Sequence, residues 1–300
     1  MAGCTRRIGR YIQMKSKDKI FMTMSLPIII IFFCFHTIPL FCGFFYSLTN
    51  SKGFGTYDFI GFKNYLKLFQ NAQVMNAYMF TFKFAVITTL LVNVISIILA
   101  LGLNSKIHFK GALRGLYFVP NILGGLIVGY IFNFLFTFVI PAVGKGLGWD
   151  SLSTSLLGKP ETAWIGIVVC VAWQSIAFNT IIYISGLQTI PEDVYEASAI
   201  DGASGWNNFW KITFPLIAPF FTINMVLCMR NFLMVFDQIM SLTSGGPAES
   251  TTSISMLIYK NGLTGNQFGL QSANSVIYFI LIVAISAFQL KVLNKREVQL

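Results

Sequence analysis

Six long apolar stretches separated by polar connections restrict the fold of this chain more than any other feature. Each is long enough to cross a bilayer as a helix, which takes about 20 largely apolar residues. They lie at about 21–46, 78–103, 116–140, 162–185, 214–236 and 271–290. The chain is 55% apolar and 11% charged, which is typical of a membrane protein. We therefore predict an all-α membrane protein of six transmembrane helices.

The basic residues predict how these helices are oriented. Thirteen of the 21 Lys and Arg residues lie before the first stretch, in the two connections after the second and fourth stretches, or after the last one. Six lie in the alternate connections, and Lys83 and Arg230 lie within stretches. An excess of basic residues marks the cytoplasmic side, so both termini and the connection 191–213 are predicted to be cytoplasmic.

The domain organisation follows from the same pattern. The first apolar stretch is longer than a signal-peptide core and has no clear cleavage site, so we predict a retained first span. No internal repeat or domain-sized linker is visible. We predict a basic segment 1–20, one transmembrane domain 21–290 and a cytoplasmic tail 291–300.

The connection 191–213 is the most polar segment between two apolar stretches. Pro191 followed by Glu192 and Asp193 favours the start of a helix, because acidic residues complement the helix dipole there. Asp201-Gly202 indicates a turn, and a second short helix is predicted at about 204–212. Composition alone leaves two interpretations open, a connector on the membrane surface and a docking element.

The sequence E-A-S-A-I-D-G-A in this connection resembles the "EAA" loop of membrane subunits of binding-protein-dependent ABC importers. Glu196, Ala197, Gly202, Ile212 and Pro215 match the family pattern, and Ser198 replaces its second alanine. In that family the loop is a cytoplasmic helix seated in a cleft of the ATPase subunit. The resemblance implies an ATPase-coupling role for Glu192, Asp193, Glu196, Ala197, Ser198, Asp201 and Gly202.

Two further motifs resemble the carbohydrate-uptake class of that family. One is F-I-G-F-K-N-Y at 59–65, which by composition alone indicates an aromatic belt at the membrane interface. The other is F-D-Q-I-M-S-L-T-S-G-G-P-A-E-S-T-T at 236–252, which contains a turn. The resemblance implies a type I ABC importer permease fold and a loop near a docked binding protein.

Polar side chains in the fourth and fifth stretches are candidates for a transport pathway. Such groups are costly in lipid, so they are expected to face protein or water, as interhelical hydrogen bonds or as substrate contacts. Positions 224, 227 and 231 are predicted to share one helix face. Arg230 is expected to contact substrate, a gate or a partner subunit. The predicted pathway residues are Gln174, Ser175, Phe178, Leu227, Arg230, Asn231 and Phe236.

The resemblance also implies the setting in which the chain works. It would be a multi-pass protein of the bacterial cytoplasmic membrane that imports a sugar, with an oligosaccharide expected. Its partners would be a second homologous permease, an ATPase dimer and an extracytoplasmic sugar-binding protein. The sequence contains no phosphate-binding loop, so ATP and Mg are expected on the ATPase and no cofactor on this chain.

Two other classes of function were compared with this one. A self-contained secondary transporter or channel is the main alternative, but ion-coupled carriers usually have a buried acidic residue, and all eleven acids lie in connections, termini or span ends. An intramembrane enzyme is disfavoured, because neither of the two His residues has a carboxylate or Cys at a useful spacing. The five Cys residues show no disulfide or metal-binding spacing.

Overall fold

The computed structural model describes residues 21–105 and 110–293, and within these ranges the regular structure is helical. The predicted segment 1–20, the end of the tail at 294–300 and the connection 106–109 lie outside them. We number twelve helices in the described ranges: α1 Phe21–Ser47, α2 Lys63–Gln70, α3 Ala72–Asn104, α4 Lys110–Ile122, α5 Gly125–Leu147, α6 Pro160–Leu187, α7 Glu192–Ile200, α8 Gly205–Leu216, α9 Ala218–Leu233, α10 Asp237–Leu242, α11 Ile254–Tyr259 and α12 Phe268–Leu293. Two short 3₁₀ helices, Asp150–Leu152 and Leu156–Gly158, lie between α5 and α6, and a π-helical turn, Lys260–Thr264, follows α11.

Five of these helices are long and apolar enough to cross a membrane, namely α1, α3, α5, α6 and α12. Helices α8 and α9 make a sixth span if they are counted together. The prediction of an all-α protein with six spans is therefore confirmed, although several of the predicted boundaries differ from the observed ones.

The third span begins later than predicted. The apolar stretch 116–140 is interrupted at Leu123 and Gly124, where the backbone of Gly124 is extended (φ −63°, ψ 142°). Pro120 in the last turn of α4 has no N–H to donate, which weakens the helix there. The spanning helix is α5, and α4 is a separate helix that packs on α6.

The fifth span is bent rather than straight. Helices α8 and α9 meet at Ile217 at an angle of 71°. Pro215 and Pro219 flank the bend, and each removes a backbone donor that a continuous helix would use. Helix α9 ends at Leu233, so the predicted boundary at 236 is also wrong, and Phe236 directly precedes α10.

The core lies between α3 and α6, with α9 packed against both. It contains apolar residues such as Phe84, Ile167 and Phe232. The hydroxyl of Tyr183 donates to Oδ1 of Asn93 at 2.5 Å, and both side chains are buried. This bond satisfies two polar groups that would otherwise be unpaired inside the bundle, which is costly in a membrane protein.

Small residues allow α10 to sit directly on α5. A Cβ atom on Gly129 would lie 1.7 Å from Oγ of Ser241, and one on Gly125 would lie 2.9 Å from Cβ of Asp237. The amide of Asn133 donates to the carbonyl of Leu242 at 2.6 Å. Glycines permit such close approach of two helices because they have no side chain. Because α10 is fixed to α5, its first residues point toward α6.

Candidate coupling elbow and polar groove

The connection between α6 and α9 folds into two short helices, α7 and α8, which we call the elbow. Gly202 has a φ of +73°, which favours glycine, and follows the last turn of α7. The N–H of Ala203 donates to the carbonyl of Ser198 at 3.0 Å, and that of Gly202 to Ala199 at 3.1 Å. This pair of bonds is the Schellman arrangement that ends a helix, so the predicted turn at Asp201-Gly202 is confirmed.

The start of α8 is capped by a side chain. Ser204 precedes the helix in an extended conformation, and its hydroxyl accepts from the N–H of Asn207 at 3.4 Å. Serine is a preferred residue at this position because it satisfies an N–H that has no partner within the helix. The elbow therefore has a defined stop, turn and restart within four residues.

The seven predicted coupling residues do not share one environment. Six of them are exposed: Glu192, Asp193, Glu196, Ala197, Asp201 and Gly202. Ser198 is 5% exposed and lies between the two helices of the elbow. The outer surface also carries Ile200 and Trp206, which are 87% and 72% exposed. The elbow thus presents acidic groups beside apolar side chains, a combination suited to a protein contact.

The predicted pathway residues converge on a polar groove between α6 and α9. It consists of two adjoining cavities of about 320 and 70 Å³, both bordered by Asn121, Ser175, Asn231 and Phe232. Gln174 and Phe236 line the larger cavity, and Phe178 and Leu227 line the smaller one. Six of the seven predicted residues therefore border one or both of these adjoining cavities.

Gln174 connects three elements at this groove. Its Nε2 donates to the carbonyl of Leu123 at 2.8 Å, at the break between α4 and α5. Its Oε1 accepts from Nε2 of Gln238 at 2.8 Å, at the start of α10. Both glutamines line the larger cavity. Amides offer donors and acceptors together, which suits the hydroxyl groups of a polar solute.

Three polar residues of the larger cavity are absent from the predicted pathway residues: Asn121, Asp237 and Gln238. They come from the end of α4 and the start of α10, whereas the prediction considered only the fourth and fifth stretches. The signal available in the sequence was their place in the motifs that contain Pro120-Asn121 and Phe236-Asp237. Neither motif indicates which spans it would approach, so sequence alone could not assign them to this groove.

Asn224 lies on the same face of the regular helix α9 as Leu227 and Asn231, as predicted, but it borders neither cavity of the groove. It is fully buried, and its Nδ2 donates to the carbonyl of Asn179 at 3.2 Å. The side chain of Asn179 in turn accepts from Sγ of Cys228 at 3.1 Å. These bonds hold α9 against α6, so Asn224 takes the interhelical role that the sequence left open.

Arg230 differs from the other predicted pathway residues. It lies in the last turn of α9 rather than well inside a long span, and the negative end of the helix dipole favours a cation there. Its side chain is exposed and borders neither cavity of the groove. Among the described residues its guanidinium has no hydrogen-bond or ion-pair partner. It therefore faces a surface that the described residues leave uncovered.

The two remaining motifs build connections by hydrogen bonding. Asn64 is 4% exposed, and its Nδ2 donates to the carbonyls of Ser47 and Thr49 at 2.8 and 2.7 Å. In the motif at 236–252, the hydroxyls of Thr243 and Thr251 lie 2.8 Å apart. Asn64 thus ties the end of α1 to α2, and the two threonines close the glycine turn.

No group of three His, Cys, Asp or Glu residues that could hold a metal ion occurs within residues 21–105 and 110–293.

Comparison with known proteins gives matches along most of the chain. A family model described as "Binding-protein-dependent transport system inner membrane component" matches residues 93–298. The chain is 38% identical over 279 residues to the multiple sugar-binding transport system permease protein MsmF of Streptococcus mutans, covering 93% of this chain and 95% of that protein. It is 37% identical over 265 residues to the probable starch degradation products transport system permease protein AmyD of Thermoanaerobacterium thermosulfurigenes, covering 88% and 90%.

A similar fold occurs in a solved structure. One chain of the crystal structure of a bacterial alginate ABC transporter, in complex with an alginate pentasaccharide-bound periplasmic protein, superposes with a TM-score of 0.80. The two chains are 25% identical, and the match covers 91% of this chain and 93% of that one. The helical arrangement described above is therefore that of a transporter subunit.

Proposed function

This chain belongs to the family of inner-membrane components of binding-protein-dependent transport systems, and we propose that it is the permease subunit of an ATP-driven importer for an oligosaccharide. The observation that carries the proposal is the polar groove between α6 and α9, two helices joined directly by the elbow. The groove for the solute and the elbow for the ATPase are thus formed by consecutive segments of the chain. The five or six helices that are long enough to cross a membrane make this chain a multi-pass protein of the cytoplasmic membrane.

The groove supports a polyhydroxylated solute. Its border carries the amides of Asn121, Gln174, Asn231 and Gln238, with Phe232 and Phe236 as aromatic neighbours. Amides bond hydroxyl groups as donors and acceptors, and aromatic rings pack on the apolar faces of sugars. The names of the relatives MsmF and AmyD refer to multiple sugars and starch degradation products, which supports an oligosaccharide.

The elbow supports coupling to a separate ATPase. The acidic groups of Glu192, Asp193 and Glu196 are exposed next to Ile200, so a partner could bind them by charge and by apolar contact at once. In this proposal ATP and Mg bind the ATPase dimer, and this chain hydrolyses nothing. Closure of the ATPase dimer moves the elbow, and the two permeases then alternate between inward-open and outward-open forms.

The orientation and the other partners are part of the proposal. The excess of Lys and Arg in alternate connections supports a cytoplasmic location of both termini and of the elbow. A second homologous permease would complete the pathway, and an extracytoplasmic binding protein would deliver the sugar. The exposed Arg230 supports a second permease, because its guanidinium has no partner among the described residues and a neighbouring subunit would supply one.

Transport by the reconstituted complex tests the proposal. The chain is purified with its second permease and ATPase, placed in liposomes with its binding protein, and supplied with labelled maltotriose. We expect maltotriose uptake that requires both ATP and the binding protein, with no uptake of a labelled amino acid. Uptake by this chain alone, driven by an ion gradient and without an ATPase, would contradict the proposal and favour a secondary transporter.

A further inference from the structure

Two side-chain contacts join the helices of the elbow at a distance from its turn. Nδ2 of Asn208 in α8 donates to Oγ of Ser198 in α7 at 3.0 Å. The hydroxyl of Ser198 donates in turn to the carbonyl of Tyr195 at 2.9 Å. The hydroxyl of Tyr195 lies 3.3 Å from that of Thr213, near the far end of α8. We call the Ser198–Asn208 bond and the Tyr195–Thr213 contact, which both join α7 to α8, the elbow bridges.

Burial makes the first bridge hard to replace with water. Ser198 is 5% exposed, and Oδ1 of Asn208 is buried with no hydrogen-bond partner in the described part of the chain. If Ser198 were alanine, as in the family pattern, Nδ2 of Asn208 would lose its acceptor and the whole amide would be unpaired. An unpaired buried polar group is costly, so the serine and the asparagine act as a pair.

The elbow connects to the groove through backbone that remains hydrogen-bonded at the bend. The N–H of Ile217 donates to the carbonyl of Thr213, and the N–H of Phe221 donates to the carbonyl of Ile217, both at 3.0 Å. Ile217 is fully buried. The bend is therefore a fixed angle rather than a loose joint, and α8 continues mechanically into α9, which carries Leu227 and Asn231 of the groove.

We propose that the elbow bridges make α7 and α8 a single lever, with Ser198 and Asn208 as positioning residues for coupling. Without the bridges, a force on the exposed face of α7 would rotate α7 about the Gly202 turn, because only the backbone of the turn would oppose that rotation. With the bridges intact the displacement passes to α8, through the bend at Ile217, and so to the groove side of α9. This inference rests on the proposed function, because it requires a motor that acts on α7.

A double-mutant cycle on the reconstituted importer tests the lever. Ser198→Ala, Asn208→Ala and the double variant are compared by the ATP hydrolysed per maltotriose imported and by the amount of ATPase subunit that co-purifies. We expect each single variant to raise the ATP used per sugar by about fivefold, the factor that one lost hydrogen bond gives. The double variant should do no worse than either single one, because both remove the same contact.

Two further variants separate the lever from general damage. Tyr195→Phe removes only the hydroxyl that faces Thr213 and should raise the same ratio with unchanged ATPase binding. Ser185→Ala is the matched control, because that exposed serine bonds only within its own helix, to the carbonyl of Ile181. A loss of ATPase binding in step with the loss of coupling would indicate a merely structural role and overturn the lever.

The outcomes distinguish the lever from the proposed function. If the wild-type complex imports maltotriose with ATP, and Ser198→Ala, Asn208→Ala and Tyr195→Phe leave the ATP used per sugar unchanged, the lever is overturned and the proposed function stands. Additive effects in the double variant would overturn the pairing of Ser198 with Asn208. If the wild-type complex binds no ATPase and shows no ATP-dependent uptake, the proposed function fails and the lever fails with it.

Discussion

Gln238 donates a hydrogen bond of 2.8 Å to Gln174, and this one contact joins α10 to α6 across the mouth of the polar groove. The two residues are far apart in the sequence. Gln174 lies in the spanning helix α6, and Gln238 lies in the short helix α10 of the motif at 236–252. Because Gln174 also donates to Leu123, the pair fixes three walls of the groove relative to one another.

The Gln174–Gln238 pair leads to the first prediction. Replacing Gln238 with Leu removes the donor and leaves Oε1 of Gln174 without its partner. We expect the KM for maltotriose of the reconstituted importer to rise by about fivefold, the factor for one hydrogen bond, with a smaller effect on kcat. Gln70→Leu is the control, since Gln70 is exposed at the end of α2. An unchanged KM in Gln238→Leu would show that the pair does not shape the groove.

The contact of α10 with α5 leads to the second prediction. Gly129→Ala would place a methyl group where Oγ and Cβ of Ser241 lie 1.7 and 2.8 Å away, so α10 must shift. We expect a loss of about 1–3 kcal/mol in stability, the usual cost of overpacking, measured as a lower Tm of the purified chain in detergent. Gly102→Ala is the control, because a Cβ there meets nothing within 4 Å.

The third prediction concerns the exposed face of the elbow and its turn. Glu196→Ala removes an exposed acidic group, and Gly202→Asp places a side chain in a left-handed conformation that costs about 1–2 kcal/mol. Both variants should abolish ATP-dependent uptake while the amount of chain in the membrane is unchanged. Gly205→Ala is the control, because Gly205 has room for a Cβ and no positive φ. Wild-type uptake in both variants would show that the elbow transmits no force.

The fourth prediction concerns Arg230, which is exposed and borders neither cavity of the groove. We expect Arg230→Ala to reduce the amount of the second permease that co-purifies, with little change in the KM of the complexes that remain. Arg230→Lys should restore part of the association, since it keeps the charge but not the planar donor fork. A higher KM with normal association would instead place Arg230 at the substrate.

The fifth prediction concerns the side of the membrane on which the elbow lies. In a chain with Cys4, Cys34 and Cys42 replaced by serine, single cysteines at the exposed positions Ala197 and Lys52 are treated with a membrane-impermeant thiol reagent. In intact cells the reagent should label the cysteine at 52 and spare the one at 197, because the distribution of Lys and Arg predicts that the elbow is cytoplasmic. Labelling of the cysteine at 197 in intact cells would contradict both the topology and the coupling proposal.

Much of the candidate site could be predicted because its signals are local. The Asp201-Gly202 turn needs only a glycine that tolerates positive φ, and the polarity of Gln174 and Asn231 within apolar stretches marks them as unusual wherever they lie. The helical period also relates residues on one span. It does not determine what each residue of that face contacts. Asn224 therefore shares a predicted face with Leu227 and Asn231 and yet lies buried against α6.

The sequence by itself determined the helical class, the number of spans and the position of the elbow, because hydropathy, proline and glycine act within a few residues of where they stand. Tertiary structure decided that Asn121 and Gln238 join the groove, that Ser198 faces Asn208, and that α5 starts after a break at Gly124. Each of these depends on contacts between segments far apart in the chain. Such contacts form through packing and hydrogen bonds among several helices at once, so no single stretch contains the information to specify them.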